Sequence, residues 1–353
     1  MRRVYLIRHA HPDFPLHAHM CLGRTDTPLG PLGRMQACLL GESFLDKAVS
    51  AVFSSPLTRC RETATPLGLP IRTVDTLAEQ DMGPWDGLDF DTIRERWPEL
   101  YARRAIEPLL VPPGAETLYE VHKRVLPALF RCLEESEGDI AVVVHASVMQ
   151  AILAELCGIP LEESRGLRPP YCGVAVLEAD ETLRLQALPL APCPPLTPLL
   201  AEQLLLAAAP GERVTAHCRA VASESMRIAE ALPLPLDREL LVSAALLHDA
   251  ARGEPHHAAL GAAWLNELGY SEAAALIAQH HDLKTDALDE AAILYLADKC
   301  IREDLRVSVE ERFRDSAVRC RTDEGCAAHA RRYAQAQTIR QRINSLCGYE
   351  LVE

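Results

Sequence analysis

A chain of 353 residues with 48% hydrophobic side chains can bury a large core, and its length suggests about two domains. A formal charge of -14 argues against general binding to nucleic acid or to an anionic membrane, so any anion site has to be local. The twelve cysteines show no C-x-x-C spacing and no apolar run approaches the ~18 residues of a membrane span, which predicts a cytoplasmic protein with reduced thiols.

In chain order, Val4-Tyr5-Leu6-Ile7 reads as a buried strand that closes on Arg8-His9, too short for a signal peptide core. A helix from Leu32 to about Leu45, a strand at Ala51-Val52-Phe53 and a helix from Leu57 follow. Helical periodicity returns from Glu116 to Leu133. A strand from Ile140 to Val144 then closes on His145, with a helix from Val148 to Leu156 and a last strand from Gly173 to Leu177. This alternation predicts an α/β sandwich. From Leu188 to Pro198 prolines stand at 189, 192, 194, 195 and 198, a run that sustains neither helix nor central strand. Beyond it the texture is helical: Leu199 to Ala209, Val214 to Leu232, Asp237 to Ala250, His257 to Leu268, Glu272 to Gln279, Asp289 to Arg302, and a stretch from Glu311. The expected organisation is an α/β domain over 1–187, a linker over 188–198 and an all-α domain over 199–353.

Chemistry in open α/β sheets gathers beyond the carboxyl ends of parallel strands, so one site is expected to hold both His9 and His145. Phosphoryl transfer to a side chain needs a nucleophile, donors for the phosphate oxygens and an acid for the leaving oxygen. Arg8 and Arg59 are candidate donors, Arg59 early on a helix where guanidinium and helix amides can meet one anion. Glu79 is a loop carboxylate available as acid. Singly, each of these is ordinarily a solvated side chain. Together, Leu6-Ile7-Arg8-His9-Ala10, Ser55-Pro56-Leu57-Thr58-Arg59 with Glu62-Thr63-Ala64, Glu79 before Gly83-x-Trp85-x-Gly87, and Val144-His145 resemble the histidine phosphatase (phosphoglycerate mutase-like) superfamily over about 1–187.

The resemblance implies a three-layer α/β sandwich and a metal-free reaction on a small phosphorylated metabolite. In it His9 becomes a phosphohistidine, Arg8, Arg59 and His145 clamp the phosphate, and Glu79 donates the proton. Ala10 and Ala146 stand where that family often has glycine; both still offer the backbone N–H, but a requirement for positive φ or very close phosphate approach would be met less well. Cys21-Leu22-Gly23-Arg24-Thr25-Asp26-Thr27-Pro28-Leu29 and Pro112-Pro113-Gly114-Ala115-Glu116-Thr117 are similar to the α-ribazole phosphatase branch. That likeness implies Gly23, Arg24 and Thr25 as substrate-binding residues and α-ribazole 5'-phosphate as one candidate substrate. The short stretch between Glu79 and His145 argues against a mutase.

Six of the thirteen histidines fall between 217 and 281, and such clustering argues for a metal. Asp249 and Asp298 sit on apolar helical segments, where a carboxylate is costly unless paired or coordinated. The order His217, His248-Asp249, His257, His280-His281, Asp298 resembles the HD phosphohydrolase superfamily over about Leu199 to Asp304. The resemblance implies that His217, His248, Asp249 and Asp298 bind one divalent cation. It further implies that His257 and His280 or His281 serve a second, with Asp249 bridging. Mixed imidazole and carboxylate donors suit Mn, Fe, Co or Zn, with Mg also possible.

His256 is expected to be a solvent neighbour of His257, and His11, His17 and His19 to be surface loop residues. The C-terminal arginines read as a solvated helix face. The expected function is a bifunctional phosphohydrolase: a phosphomonoesterase on His9 joined to a metal-dependent hydrolase of a nucleotide-like phosphoester or phosphoanhydride. The alternative is a phosphatase regulated by a non-catalytic HD domain that binds metal and nucleotide.

Overall fold

The computed structural model describes residues 2–16, 18–107, 109–180, 182–318 and 320–353. Contacts divide the chain into two units, Met1–Pro194 and Pro195–Glu353.

The elements of the first unit run β1 (Arg2–Arg8), β2 (Met20–Cys21), α1 (Pro31–Ser43), β3 (Val49–Ser54), α2 (Thr58–Ala64), β4 (Ile71–Thr73), β5 (Leu88–Asp89), α3 (Phe90–Arg96) and α4 (Pro98–Ile106). They continue with α5 (Leu118–Glu134), β6 (Asp139–Val144), α6 (Ala146–Cys157), β7 (Val174–Ala179) and β8 (Leu183–Leu190). Six strands form one sheet in the order β4-β3-β6-β1-β7-β8. The pairs β4-β3, β3-β6 and β6-β1 are parallel, whereas β7 and β8 are antiparallel additions.

Alternation along the strands makes the layers. Val4, Leu6, Phe53, Ile140 and Val142 point to one face, where Val121, Val125 and Leu129 of α5 and Val148 and Ile152 of α6 cover them. Tyr5, Ile7, Val52, Ala141 and Val143 point to the other, covered by Ala37 and Leu40 of α1 and Cys60 and Ala64 of α2. The unit is thus a helix–sheet–helix sandwich around a mixed sheet.

β7 is not the last strand. β8 follows it as Leu-Arg-Leu-Gln-Ala-Leu-Pro-Leu, reaching Leu190 within the proline-rich run. Pro189 is tolerated because β8 is an edge strand, where a missing N–H need not face a neighbour.

The second unit is helical: α7 (Pro198–Ala208), α8 (Glu212–Ala231), α9 (Arg238–Leu247), α10 (His257–Glu267), α11 (Ser271–Ile277) and α12 (Glu290–Lys299). A small hairpin, β9 (Ile301–Arg302) and β10 (Leu305–Arg306), precedes α13 (Val309–Ala317) and α14 (Asp323–Cys347). α9 is central, with α7, α8, α11 and α12 packed on it. Leu241, Ala244, Ala245 and Leu247 are fully buried there, so the residues that end this helix are held by a rigid core. Among the described residues, no helix is long and apolar enough to cross a membrane.

Candidate active site and candidate metal centre

Parallel pairing sets the first site. Arg8 lies opposite Val144 in the β1-β6 register, so the residues after each strand, His9 and His145, emerge side by side. The His9 amide donates to the Val144 carbonyl at 2.9 Å and the Ser55 amide to the Val143 carbonyl at 2.9 Å. The two imidazole centroids are 5.1 Å apart. Arg8, His9, Glu79, Arg104, Arg168 and Tyr171 share one cavity of about 110 Å³. Arg59 and His145 are fully buried beside it and do not line its open part.

The His9 ring is oriented by its own backbone neighbour, since Nδ1 donates to the Ala10 carbonyl at 2.8 Å and leaves the lone pair on Nε2. Burial, and then the charges of Arg59 and Arg8, hold the His9 pKa well below that of a free imidazole. His145 is shifted the same way, by burial and then by Arg59 and His9. Its Nε2 meets Ser55 Oγ at 2.7 Å.

The guanidiniums are held by carbonyls. Arg8 Nη1 donates to Pro169 O at 2.7 Å and lies over the Tyr171 ring at 3.9 Å. Arg59 Nη1 and Nη2 donate to the carbonyls of Thr25 and Gly23 at 2.8 and 2.7 Å. The Nε of each is buried without a partner among the described residues, an arrangement that costs free energy unless an anion accepts from it. Glu79 accepts from the amides of Gln80 at 2.8 Å and Ser147 at 3.3 Å. Neither Ala10 nor Ala146 has a positive φ, so alanine is unstrained at both positions.

The segment Gly23-Arg24-Thr25 is clasped from two sides. Asp86 accepts from its three amides at 2.8, 2.8 and 2.9 Å, while Arg59 takes the carbonyls. A Cβ on Gly23 would sit 2.7 Å from Gln80 O and 2.9 Å from Met82 N, so this close approach needs glycine. The Arg24 side chain, about half exposed and 3.7 Å from Glu116, and the exposed Thr25 are left to face outward.

Several participants carried no signal in the sequence. Asp86, Arg104, Arg168 and Tyr171 are single residues in loops or on helix surfaces, without spacing or periodicity to mark them. His11, expected on the surface, is 5% exposed, because its ring packs 4.6 Å from Phe14 and 5.1 Å from Tyr171. His19 is exposed as expected, and His17 lies outside the described residues.

In the second unit the end of α9 delivers His248 and Asp249, and the two oxygens of Asp249 divide the cluster. Oδ2 is 4.0 Å from His217 Nε2 and 3.7 Å from His248 Nε2. Oδ1 is 3.1 Å from His257 Nε2 and 3.6 Å from His280 Nε2. His281 Nε2 is 2.9 Å from His257 Nε2. Asp298 joins the first group through Oδ1, 3.1 Å from His217 and 3.8 Å from His248, while its Oδ2 accepts from Lys299 at 2.6 Å.

Three of these rings are aimed by backbone carbonyls. Nδ1 of His217, His248 and His280 donates to Glu303 O, Ala245 O and Ile277 O, each at 2.7 Å, which turns every Nε2 lone pair toward Asp249. His248 Nε2, His280 Nε2 and Asp249 Oδ1 are buried without hydrogen-bond partners among the described residues. Cations held in the two groups would satisfy all three, and imidazole with carboxylate is a fitting donor set. Burial lowers the His248 pKa to about 4 and that of His281 to about 3, keeping both rings neutral. Burial alone would raise the Asp249 pKa, yet His248, His257 and His280 bring it far below the usual carboxylate range. His256, in a left-handed conformation at the start of α10, is exposed and outside the cluster.

Comparison with known proteins agrees with both halves. The model of the histidine phosphatase superfamily (branch 1) matches residues 4–186, and that of the HD domain matches residues 214–303. "Putative phosphoserine phosphatase 2" of Hydrogenobacter thermophilus is 30% identical over 185 residues, 51% of this chain and 91% of that protein. "Probable phosphoglycerate mutase GpmB" of Citrobacter koseri is 28% identical over 193 residues, 52% of this chain and 88% of that protein. Among solved structures, "Mycobacterial hydrolase 2" superposes with a TM-score of 0.51 at 25% identity, covering 59% of this chain and 97% of its own. The chain therefore belongs to the histidine phosphatase superfamily, branch 1, and carries an HD domain in its helical unit.

Proposed function

We propose that the protein is a bifunctional phosphohydrolase whose first site hydrolyses a phosphomonoester through a phosphohistidine on His9. The observation that carries this reading is the neutral His9 ring, its Nδ1 committed to Ala10, in a cavity it shares with Arg8 and Glu79. His9 Nε2 attacks phosphorus in line, forming a P–N bond as the ester P–O bond breaks. Glu79 gives the leaving oxygen its proton. The unpaired Nε–H groups of Arg8 and Arg59, with His145, hold the phosphate oxygens. Water, deprotonated by Glu79, then attacks the phosphohistidine and frees phosphate and neutral His9. The substrate is a small phosphorylated metabolite, with α-ribazole 5'-phosphate to be included in any screen.

In the helical unit, His217, His248, Asp249 and Asp298 are proposed to hold one divalent cation, and Asp249, His257, His280 and His281 a second. Bound Mn, Fe, Co, Zn or Mg supplies Lewis acidity toward a phosphoester or phosphoanhydride of a nucleotide-like substrate. The protein's part is to orient donors: three backbone carbonyls fix the imidazoles, and Lys299 fixes Asp298.

p-Nitrophenyl phosphate hydrolysis separates the two sites. Wild-type activity is expected to survive EDTA and to fall at least 1,000-fold in His9→Ala, the order of loss on removing a nucleophile. Activity that persists in His9→Ala, or that EDTA alone abolishes, overturns the first assignment. Nucleotide turnover that survives Asp249→Ala overturns the second, and nucleotide binding without turnover favours the regulatory alternative.

A further inference from the structure

The first unit contains a second, larger cavity of about 310 Å³, whose wall includes Gln80, Tyr101, Arg104, Gln150, Arg165 and Arg168. It shares Phe90, Arg104 and Arg168 with the cavity of His9, so a ligand phosphorylated at His9 has an adjoining space for the rest of its body. Three arginines face this space, and no carboxylate lines it among the described residues. Arg104 is half-buried, and Arg165 and Arg168 are exposed.

Two neighbouring acids are already engaged. Glu107, one turn from Arg104, is held by Arg103 at 3.1 Å, and Glu162, one turn from Arg165, is held by the Tyr119 hydroxyl. The Arg104 guanidinium lies 5.5 Å over the Trp85 ring, with no acidic partner among the described residues. Burial, then repulsion from Arg168, lowers its pKa. Arg168 is aimed rather than free. Its Nε donates to Gln150 Oε1 at 3.3 Å, and Gln150 is anchored through Nε2 to the buried Ser164 hydroxyl at 2.8 Å. That leaves the two terminal nitrogens of Arg168 for a ligand.

Guanidinium groups gathered without counter-charge are complementary to a planar or tetrahedral oxyanion. We infer that the phosphomonoester hydrolysed at His9 carries a second anionic group, a carboxylate or another phosphate, and that this group docks on Arg104, Arg165 and Arg168. The inference rests on the phosphatase reading for the placement of the first phosphate. It also disfavours α-ribazole 5'-phosphate, whose base has no acidic group to offer these arginines.

Binding tests this independently of turnover. Full-length His9→Ala protein is titrated calorimetrically with three matched pairs: 3-phosphoglycerate and glycerol 3-phosphate, 6-phosphogluconate and sorbitol 6-phosphate, fructose 1,6-bisphosphate and fructose 6-phosphate. In at least one pair the dianionic-site ligand is expected to bind about tenfold or more tightly, and the pair that does so separates carboxylate from phosphate. Adding Arg165→Gln or Arg168→Gln is expected to reduce that preference to below about threefold. Equal affinity in all three pairs, no measurable binding of any ligand with a second anion, or a preference that survives both replacements overturns the inference. Failure of the phosphatase reading shows separately, as p-nitrophenyl phosphate hydrolysis by wild type that does not depend on His9.

Discussion

His9 and His145 differ in their partners more than in their surroundings. Both are buried and both are kept neutral by burial and by the arginines, but Nδ1 of His9 donates to a carbonyl while Nε2 of His145 meets the Ser55 hydroxyl. Ser55 is therefore proposed as a positioning residue for His145. Ser55→Ala is expected to lower phosphatase kcat/KM about 10- to 100-fold by letting the His145 ring turn, with Asp249-dependent activity in the same preparation unchanged. The lowered pKa values also fix a pH effect. Below about 6.5 the unfolded chain protonates these imidazoles while the native state does not, so protons favour unfolding. Stability of the first unit is expected to drop as pH falls from 6.5 toward 5, by up to about 1.4 kcal/mol per pH unit for each histidine. Thermal melts across that range check the sign. A melting temperature that rises on acidification contradicts the neutral-imidazole assignment.

At the level of elements, His9 and His145 follow strand ends, Arg59 sits early on α2, and loops supply Glu79 and the supporting groups. Asp86 collects three amides of the 23–25 segment, and Arg59 holds two of that segment's carbonyls. Asp86→Ala is expected to cost about 2 kcal/mol, the order of one or two charge-assisted hydrogen bonds, and to raise KM as Arg59 loses its anchor. Circular dichroism melts and steady-state kinetics on one preparation read both effects. β1, β3, β6 and the helices covering them were legible because strand and helix periodicities differ and the strands are buried on both faces. β8 was not, since an edge strand alternates weakly and its proline resembles a linker. The histidines and Asp249 were legible through order and resemblance. Asp86, Tyr171 and the outer arginines were not, because their partners lie far away in sequence and only the tertiary fold brings them together.

Across the whole molecule, the two units call for different chemistry. The first sets a neutral His9, the proposed nucleophile, beside guanidiniums whose Nε groups lack partners among the described residues, and the second leaves lone pairs of His248, His280 and Asp249 unsatisfied around a shared carboxylate. Saturating Mn²⁺ is expected to raise the melting temperature of the helical unit by about 5 to 10 °C over the chelated protein, and Asp249→Ala to erase that gain. An equal gain in Asp249→Ala contradicts the centre.

Phosphorus is proposed to pass through His9 without metal. Chelated protein mixed with a ³²P-labelled phosphomonoester, quenched in alkali within milliseconds and mapped by peptide mass spectrometry, tests it most directly. An acid-labile, alkali-stable phosphoryl group on the His9 peptide, absent from His9→Ala, is the predicted result. Label on another residue, or turnover with no phosphoenzyme under conditions that trap one from a reference histidine phosphatase, would contradict it.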